Sequence, residues 1–236
     1  MRAVILAGGK GTRLRPYTYS LPKPLMPIGG EMPILEIILK QLKQHGFNHI
    51  TMAVNYMAKI IMAFFNSGED WGLKIDYSLE KKTLGTVGPL TLIEDLPENF
   101  LVMNGDVMTD LNFKDLYDWH VKENNFLSVC THVKEVKIDS GVLKFNSDYE
   151  IYEFEEKPIL HKNVNMGIYV VNRELIETLP KNSYYGFDQL IINAINQNYR
   201  LKAYVHDSFW ADIGQNDDYR KVNQYYKKNK DILFNF

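Results

Sequence analysis

Short apolar runs alternate along this chain with amphipathic stretches, and glycine- or proline-marked turns separate them. Residues 3–7 form such a run; its length and the β-branched Val4 and Ile5 predict a buried strand. Ile34, Ile37, Ile38 and Leu42 recur at helical spacing, so a helix is predicted over 33–44, stopped by His45-Gly46. Strands over 50–55 and 75–79 follow, with a short helix over 59–66 between them. A helix over 86–93 then leads to a buried strand over 100–103. Strands alternating with helices predict an α/β fold: a Rossmann-like, mostly parallel mixed sheet flanked by helices. Right-handed crossovers place the connecting loops on one rim, outside the carboxyl ends of the strands, where such sheets bind ligands. From residue 126 the pattern becomes β-rich, over 126–134, 141–146 and 150–154, and reads as a small inserted lobe. A last helix is predicted over 217–230. The chain is therefore read as one domain, 1–236, in three parts: 1–125, 126–208 and a closing segment 209–236.

Composition narrows the classes. The 236 residues are 45% hydrophobic and 24% charged, which excludes disorder, collagen and coiled coil as the main architecture. A net charge of −2 gives no broad electrostatic case for nucleic acid or an anionic membrane. Neither is expected as a partner. One cysteine, Cys130, cannot form an internal disulfide and fits a reducing compartment. No apolar run reaches the length of a membrane span. The N-terminal apolar run meets glycines too soon for a signal peptide, and a cytoplasmic protein is expected.

The candidate chemistry starts where the first strand ends. It runs into Gly8-Gly9-Lys10-Gly11-Thr12-Arg13. Glycines let backbone N–H groups approach an anion closely, so the loop suits a phosphate. It is neither a P-loop nor a clean G-x-G-x-x-G, since Leu14 stands at the last position. Read alone, it is also compatible with a tight turn that binds nothing. Arg13 and Arg15 bring guanidinium groups suited to phosphate beside it. Pro22-Lys23-Pro24 holds a lysine between two prolines, which predicts Lys23 on a stiff extended segment. Asp106 and Asp212 each close an apolar segment. Singly, each could be a turn or cap residue. As a pair beside a phosphate loop they suit Mg²⁺, which binds through one or two carboxylates plus substrate phosphates.

Gly8-Gly9-Lys10-Gly11-Thr12-Arg13-Leu14-Arg15-Pro16 followed by Pro22-Lys23-Pro24 resembles the signature of sugar-1-phosphate nucleotidylyltransferases, the NDP-sugar pyrophosphorylases. The resemblance covers essentially the whole chain and is most like the single-domain mannose- and heptose-1-phosphate guanylyltransferases. It implies a GT-A-like nucleotidyltransferase fold whose 126–208 part is a sugar-binding lobe. It implies transfer of a nucleoside monophosphate from an NTP to a sugar 1-phosphate, with Mg²⁺ as cofactor and a homodimer as the common assembly. Carried over residue by residue, Arg13, Lys23 and Asp106 are catalytic, and Asp106 with Asp212 holds the metal. Leu6, Ala7, Gly8, Gly9, Gly11 and Thr12 then hold the nucleotide, together with Glu80, Gly85 and Thr86. Glu156-Lys157-Pro158 resembles the family's E-K-P element, and Asn165-Met166-Gly167-Ile168-Tyr169 its N-x-G-[IL]-Y element. Gly141, Glu156, Lys157 and Asn165 are thereby implied in sugar-phosphate binding. Met166 stands where family members usually carry Ala. The hexapeptide repeats of the larger members' β-helix are absent, so neither that domain nor an acyltransferase activity is expected. The apolar Ile232-Leu233-Phe234 is a candidate subunit contact.

Base choice rests on residues 80–88. A carboxylate such as Glu80 can accept from guanine N1–H and its N2 amino group together. Uracil and thymine flank their N3–H with carbonyls that repel it. GTP is therefore favoured, and a solvated Glu80 with the base read by backbone alone is the plain alternative. Two other functions stay open: a cytidylyltransferase acting on another phosphorylated acceptor, and a non-catalytic NDP-sugar sensor. A dinucleotide-binding module is disfavoured by the 8–12 spacing and Lys23. No protein nucleophile is needed, so Cys130 and the six histidines are read as structural or surface residues.

Overall fold

Seven strands build the central sheet of the computed structural model: β1 (Arg2–Leu6), β2 (His49–Val54), β3 (Lys74–Leu79), β4 (Asn99–Asn104), β5 (Leu127–Lys137), β6 (Ile159–Asn172) and β7 (Leu201–Val205). Their order across the sheet is β7-β5-β6-β4-β1-β2-β3. β1 runs parallel to β4 and β2, β2 to β3, and β7 to β5, while β6 is antiparallel to both β4 and β5. The sheet is thus mixed and mostly parallel, as the strand–helix alternation predicts. The structure describes residues 1–234, and the side chains of Ile232 and Phe234 lie outside that description.

Successive residues of a strand face opposite ways, and both faces of this sheet are covered. Ala3, Ile5, Leu101 and Met103 point into one core, with α1 (Ile34–Gln44), α2 (Ala58–Phe65), α3 (Phe113–Lys122) and α6 (Asn216–Phe234). Val4, Phe100 and Val102 point into the other, with the 3₁₀ turn Gly88–Leu92, α4 (Arg173–Glu177) and α5 (Phe187–Asn196). The helical spacing seen in the sequence is the buried face of α1, where Ile34, Ile37, Ile38 and Leu42 are each at most 1% exposed. Burying each such side chain contributes about 1.5–3 kcal/mol.

Three differences from the sequence reading matter. Residues 86–93 are not a helix, because Val87 and Gly88 N–H both donate to the Tyr185 carbonyl, which pins the chain to a neighbouring loop. Only Gly88–Leu92 coils, as 3₁₀. The β-rich part is not a separate lobe of strands, since β5, β6 and β7 complete the central sheet. Only the ribbon Val142–Phe145 paired with Ile151–Glu155 stands apart. Leu233 is buried in the chain's own core rather than offered to a subunit; the rest of that candidate contact, Ile232 and Phe234, has side chains outside the description. No helix among the described residues is long and apolar enough to cross a membrane.

Candidate active site

The carboxyl ends of β1, β2, β3 and β4 open into a cavity of about 290 Å³. Leu6, Ala7, Gly8 and Gly9 line it from the end of β1. Ala53 and Asn55 come from β2, Glu80 from the end of β3, and Asn104, Gly105 and Asp106 from β4. Lys23, Pro24, Thr83, Gly85, Thr86 and Pro89 close it. The cavity therefore lies outside the carboxyl ends of the strands, where such sheets bind ligands.

At one end sits Glu80, which is 9% exposed. Its Oε2 accepts from Leu84 N–H at 3.1 Å, so the carboxylate ties down its own loop. Burial raises its pKa, and the Leu84 bond offsets part of that. Glu80 is therefore buried in the cavity wall, not a solvated side chain. Gly85 lets the same loop pack against the Tyr185 backbone: it has φ +80°, and a Cβ there would lie 2.5 Å from the Tyr185 carbonyl oxygen. Thr86 Oγ1 accepts from Phe187 N–H at 3.0 Å, at the start of α5. The loop is thus held in place from both sides.

At the other end Lys23 is 8% exposed and its Nζ forms an ion pair with Asp106 Oδ2. Lys23 does not lie on an extended segment. Leu25 N–H donates to the Pro22 carbonyl at 2.9 Å and Met26 N–H to that of Lys23 at 3.0 Å, which curls 23–25 into a 3₁₀ turn. Pro22 alone is extended. These turn hydrogen bonds override the preference of a residue before proline for extended backbone. Gly11, at φ +59°, lets the glycine loop close on this turn: a Cβ there would meet Thr18 Cγ2 at 2.9 Å and Lys23 Cβ at 3.2 Å.

Asp212 reaches Asp106 through a small ladder. The strand Trp210–Asp212 pairs antiparallel with Val107–Thr109, setting Asp212 opposite Val107. Ile213 N–H donates to the Asp106 carbonyl at 3.1 Å. Burial raises the Asp212 pKa, and the Asp106 charge raises it further; Lys23 and Arg13 pull it down. Two adjacent carboxylates, one made unfavourable by burial and by its neighbour, fit a hard dication. Among the described residues no group of three or more His, Cys, Asp and Glu could hold a metal. Substrate oxygens would therefore have to complete the shell, as is usual for Mg²⁺.

Arg13 and Thr12 do not line the cavity. Arg13 packs instead beside Gly214, where a Cβ would come 3.3 Å from its Nη1, next to the Asp212 strand. None of Gly141, Glu156, Lys157 and Asn165 lines the cavity either. Gly141 and Glu156 do meet, since a Cβ on Gly141 would lie 3.2 Å from Glu156 Oε2. Lys157 Nζ is 4.0 Å from Glu156 Oε1, and both side chains are more than 60% exposed. Asn165 sits in a register break of β6, with its Nδ2 on the Tyr169 hydroxyl at 2.6 Å. Met166 is buried in the core and does not narrow the cavity. The sequence reading missed Asn55 and Asn104, whose signal is their position at the ends of parallel strands. Cys130, buried with its thiol pushed up to about 12, and His120, lowered to about 4 by burial, are inert interior groups.

The rim of this mostly parallel sheet thus gathers a glycine loop, a buried lysine and two carboxylates. Comparison with known proteins makes this specific. The Nucleotidyl transferase family model matches residues 2–229, and the chain belongs to that family. It is 32% identical to a UTP–glucose-1-phosphate uridylyltransferase of Synechocystis over 93% of this chain and 61% of that protein. It is 33% identical to a mannose-1-phosphate guanyltransferase of Aspergillus oryzae, over 93% and 62%. The chain thus spans about three fifths of the length of these relatives. Among solved structures, HddC from Yersinia pseudotuberculosis superposes with a TM-score of 0.74 at 26% identity, covering 95% of this chain and 99% of that one. HddC complexed with GMP-PN superposes at 0.71. A putative glucose-1-phosphate thymidylyltransferase from Bacillus anthracis shares the fold, with a TM-score of 0.77 at 21% identity, covering 100% of this chain and 96% of that one.

Proposed function

We infer that the chain transfers a nucleoside monophosphate from GTP to a sugar 1-phosphate and releases pyrophosphate. One observation carries this reading: Glu80 at one end of a single cavity and the Lys23–Asp106 pair at the other. A base read by Glu80 leaves the phosphates of the same nucleotide at the glycine loop and Lys23. Membership of the nucleotidyl transferase family and the guanylyltransferase relatives support it.

In the proposed reaction an oxygen of the sugar phosphate attacks the α-phosphorus. A new P–O bond forms as the bond to the β-phosphate breaks, and the electron pair leaves with pyrophosphate. Two anions must approach, so neutralising charge is the main task. Lys23 supplies a fixed ammonium to the transferring phosphoryl group. The backbone of Gly8 and Gly9 holds the nucleotide phosphates, and Arg13 adds a positive charge beside the Asp212 strand. Asp106 and Asp212 would hold Mg²⁺, which supplies charge neutralisation and orientation when bound. Lys157 and Glu156, with Gly141 and Asn165, would hold the sugar phosphate. Glu80 keeps Oε1 and a second lone pair on Oε2 to accept from the two donors of guanine.

The 32% identity to a uridylyltransferase favours a second base, uracil. Uracil has an N3–H for Glu80, but its flanking carbonyls oppose the carboxylate. A pyrophosphate-release assay with Mg²⁺ decides, crossing GTP, UTP, CTP, dTTP and ATP with mannose, glucose, fucose, glucosamine and heptose 1-phosphates. Release with GTP supports the proposal. Release with UTP or CTP alone keeps the reaction and rejects the base. No release with any pair, despite nucleotide binding, rejects catalysis.

A further inference from the structure

The helix α6 makes more polar contacts than its docking needs. Val222, Tyr226 and Leu233 are each at most 1% exposed and seat it in the core. Tyr219 and Asn223 stand at i and i+4 before Tyr226 at i+7, so the three share one face of the helix. All three meet the hairpin formed by Pro27–Ile28 and Met32–Pro33. The Tyr219 hydroxyl donates to the Pro27 carbonyl. Asn223 Oδ1 accepts from Gly29 N–H at 2.7 Å, while its Nδ2 donates to the Tyr219 carbonyl at 2.7 Å. The Tyr226 ring fills the space beside Gly29, which has φ +67° and where a Cβ would lie 2.6 Å from the ring. These contacts are made to the main chain of the hairpin. They fix where its backbone runs, whatever side chains it bears.

That backbone leads straight from Lys23, with only residues 24–28 between Lys23 and Gly29. Met26 N–H donates to the Lys23 carbonyl, and Ile34 N–H, opening α1, donates to the Met26 carbonyl at 3.0 Å. The same helix also holds the opposite side of the site. Tyr225 stacks on Phe209, with ring centroids 3.4 Å apart and 3° between the planes. Phe209 directly precedes the Trp210–Asp212 strand, and residues 213–215 alone separate Asp212 from α6. One of these, Ile213, is fully buried and donates its N–H to the Asp106 carbonyl. One helix thus grips the segment of the lysine and the segment of the second carboxylate.

The ion pair with Asp106 does not by itself keep the Lys23 ammonium in place during the proposed reaction, because Asp106 then also faces the metal and the substrate phosphates. We propose that Asn223 and Tyr219 are positioning residues, which act through the 27–29 backbone to set the Lys23 ammonium at the transferring phosphoryl group. They touch no reacting atom. The inference rests on the nucleotidyl-transfer reading above. A donor aimed in advance needs no reorganisation as charge develops, and displacing it forfeits rate more than binding.

The test is steady-state kinetics with GTP, Mg²⁺ and mannose or glucose 1-phosphate, whichever the unmodified protein turns over, together with GTP affinity by calorimetry. Asn223→Ala lowers kcat by about tenfold and leaves GTP affinity unchanged. Asn223→Asp keeps an acceptor for Gly29 N–H and restores most of the rate. Tyr219→Phe loses only the hydroxyl and lowers kcat by about threefold; it carries the decision if the alanine variant does not fold. Lys230→Ala removes the exposed pair with Glu31 farther along the same helix and keeps kcat. The deciding comparison is made in a Lys23→Ala background. A residue that acts through Lys23 has nothing left to position there, so adding Asn223→Ala or Tyr219→Phe lowers the residual rate no further. Losses that multiply in the double variant, a loss confined to GTP affinity, or an unchanged kcat in the single variants overturns this inference and leaves the function standing. A protein inactive with every nucleotide and acceptor overturns both.

Discussion

The nucleotide end of the site and the residues implied in sugar-phosphate binding are built in opposite ways. In the cavity two charged groups are buried and held: Glu80 by Leu84 N–H, Lys23 by Asp106 and by its 3₁₀ turn. The sheet rim gives these positions as a by-product of packing two cores against β1 to β4. Gly141, Glu156 and Lys157 belong instead to a two-stranded ribbon with its flanking turns, and the ribbon belongs to neither core. Leu143, Phe145, Ile151 and Phe154 on it are 48–62% exposed. A lone two-stranded ribbon is only marginally stable in water. Fixed charges in a dry site stabilise a transition state without reorganising. On the proposed function, base choice and phosphate chemistry fall to a site standing ready, and acceptor capture to an exposed ribbon.

Substitutions can break this comparison, and the largest effect belongs to the buried end. Lys23→Ala is expected to lower kcat by about 10²–10³-fold, the range for deleting one preorganised donor, while GTP still binds. An unchanged kcat removes Lys23 from the chemistry. Asp106→Asn is expected to weaken activation by Mg²⁺ by about 10–100-fold, comparable to or above the loss of a ligand-supporting group. Normal activity at low Mg²⁺ would reject the metal assignment. Glu80→Gln is expected to cut the preference for GTP over UTP by about tenfold, since the bonds to a charged acceptor are the stronger ones. The same variant has a pH signature. The buried carboxyl binds its proton more tightly folded than unfolded, so the folded protein loses stability as pH rises above the ordinary carboxylate range. Glu80→Gln removes that loss, and its Tm relative to the unmodified protein rises from acid to neutral pH. A pH-independent difference contradicts it.

The ribbon end gives smaller numbers. Lys157→Ala is expected to raise the acceptor KM by about three- to tenfold, since a solvent-exposed charge contributes little, and to leave GTP binding unchanged. Leu143→Ser on the ribbon is expected to shift stability by no more than about 0.5 kcal/mol, as surface changes do. Leu101→Ala in the core, by contrast, is expected to cost about 2–5 kcal/mol in denaturant unfolding. Equal losses at the two positions would show that the ribbon is packed and ready after all.

What could be read from sequence divides along the same line. The strands β1 to β4 were legible because each is a short apolar run bounded by turns, and α1 because its buried face recurs at helical spacing. The places of the glycine loop and Asp106 were legible because the ends of β1 and β4 share one rim, whereas Lys23 and Asp212 were singled out by Pro22-Lys23-Pro24 and by an apolar segment ending in a carboxylate. Helices α3 to α5 and strands β6 and β7 were missed. α3 does carry a signal: Asn112 caps it by accepting from Lys114 and Asp115 N–H, and Phe113 and Leu116 mark its buried face. The 86–93 segment reads as helical because nothing local announces that Tyr185, about a hundred residues on, takes its N–H groups. The point at which β5 and β6 leave the core is likewise tertiary. Both strands continue past the core, and only packing shows where burial ends. Asn55 and Asn104 were passed over because an asparagine at a strand end reads as a turn.

Calorimetric titration of each substrate into the free protein with Mg²⁺ tests the division most directly. GTP is expected to bind without acceptor, and mannose or glucose 1-phosphate to show binding only once nucleotide is present. An acceptor that binds the free protein as tightly as the nucleotide-loaded one would contradict the account, because it would mean that both ends of the site stand formed before either substrate arrives.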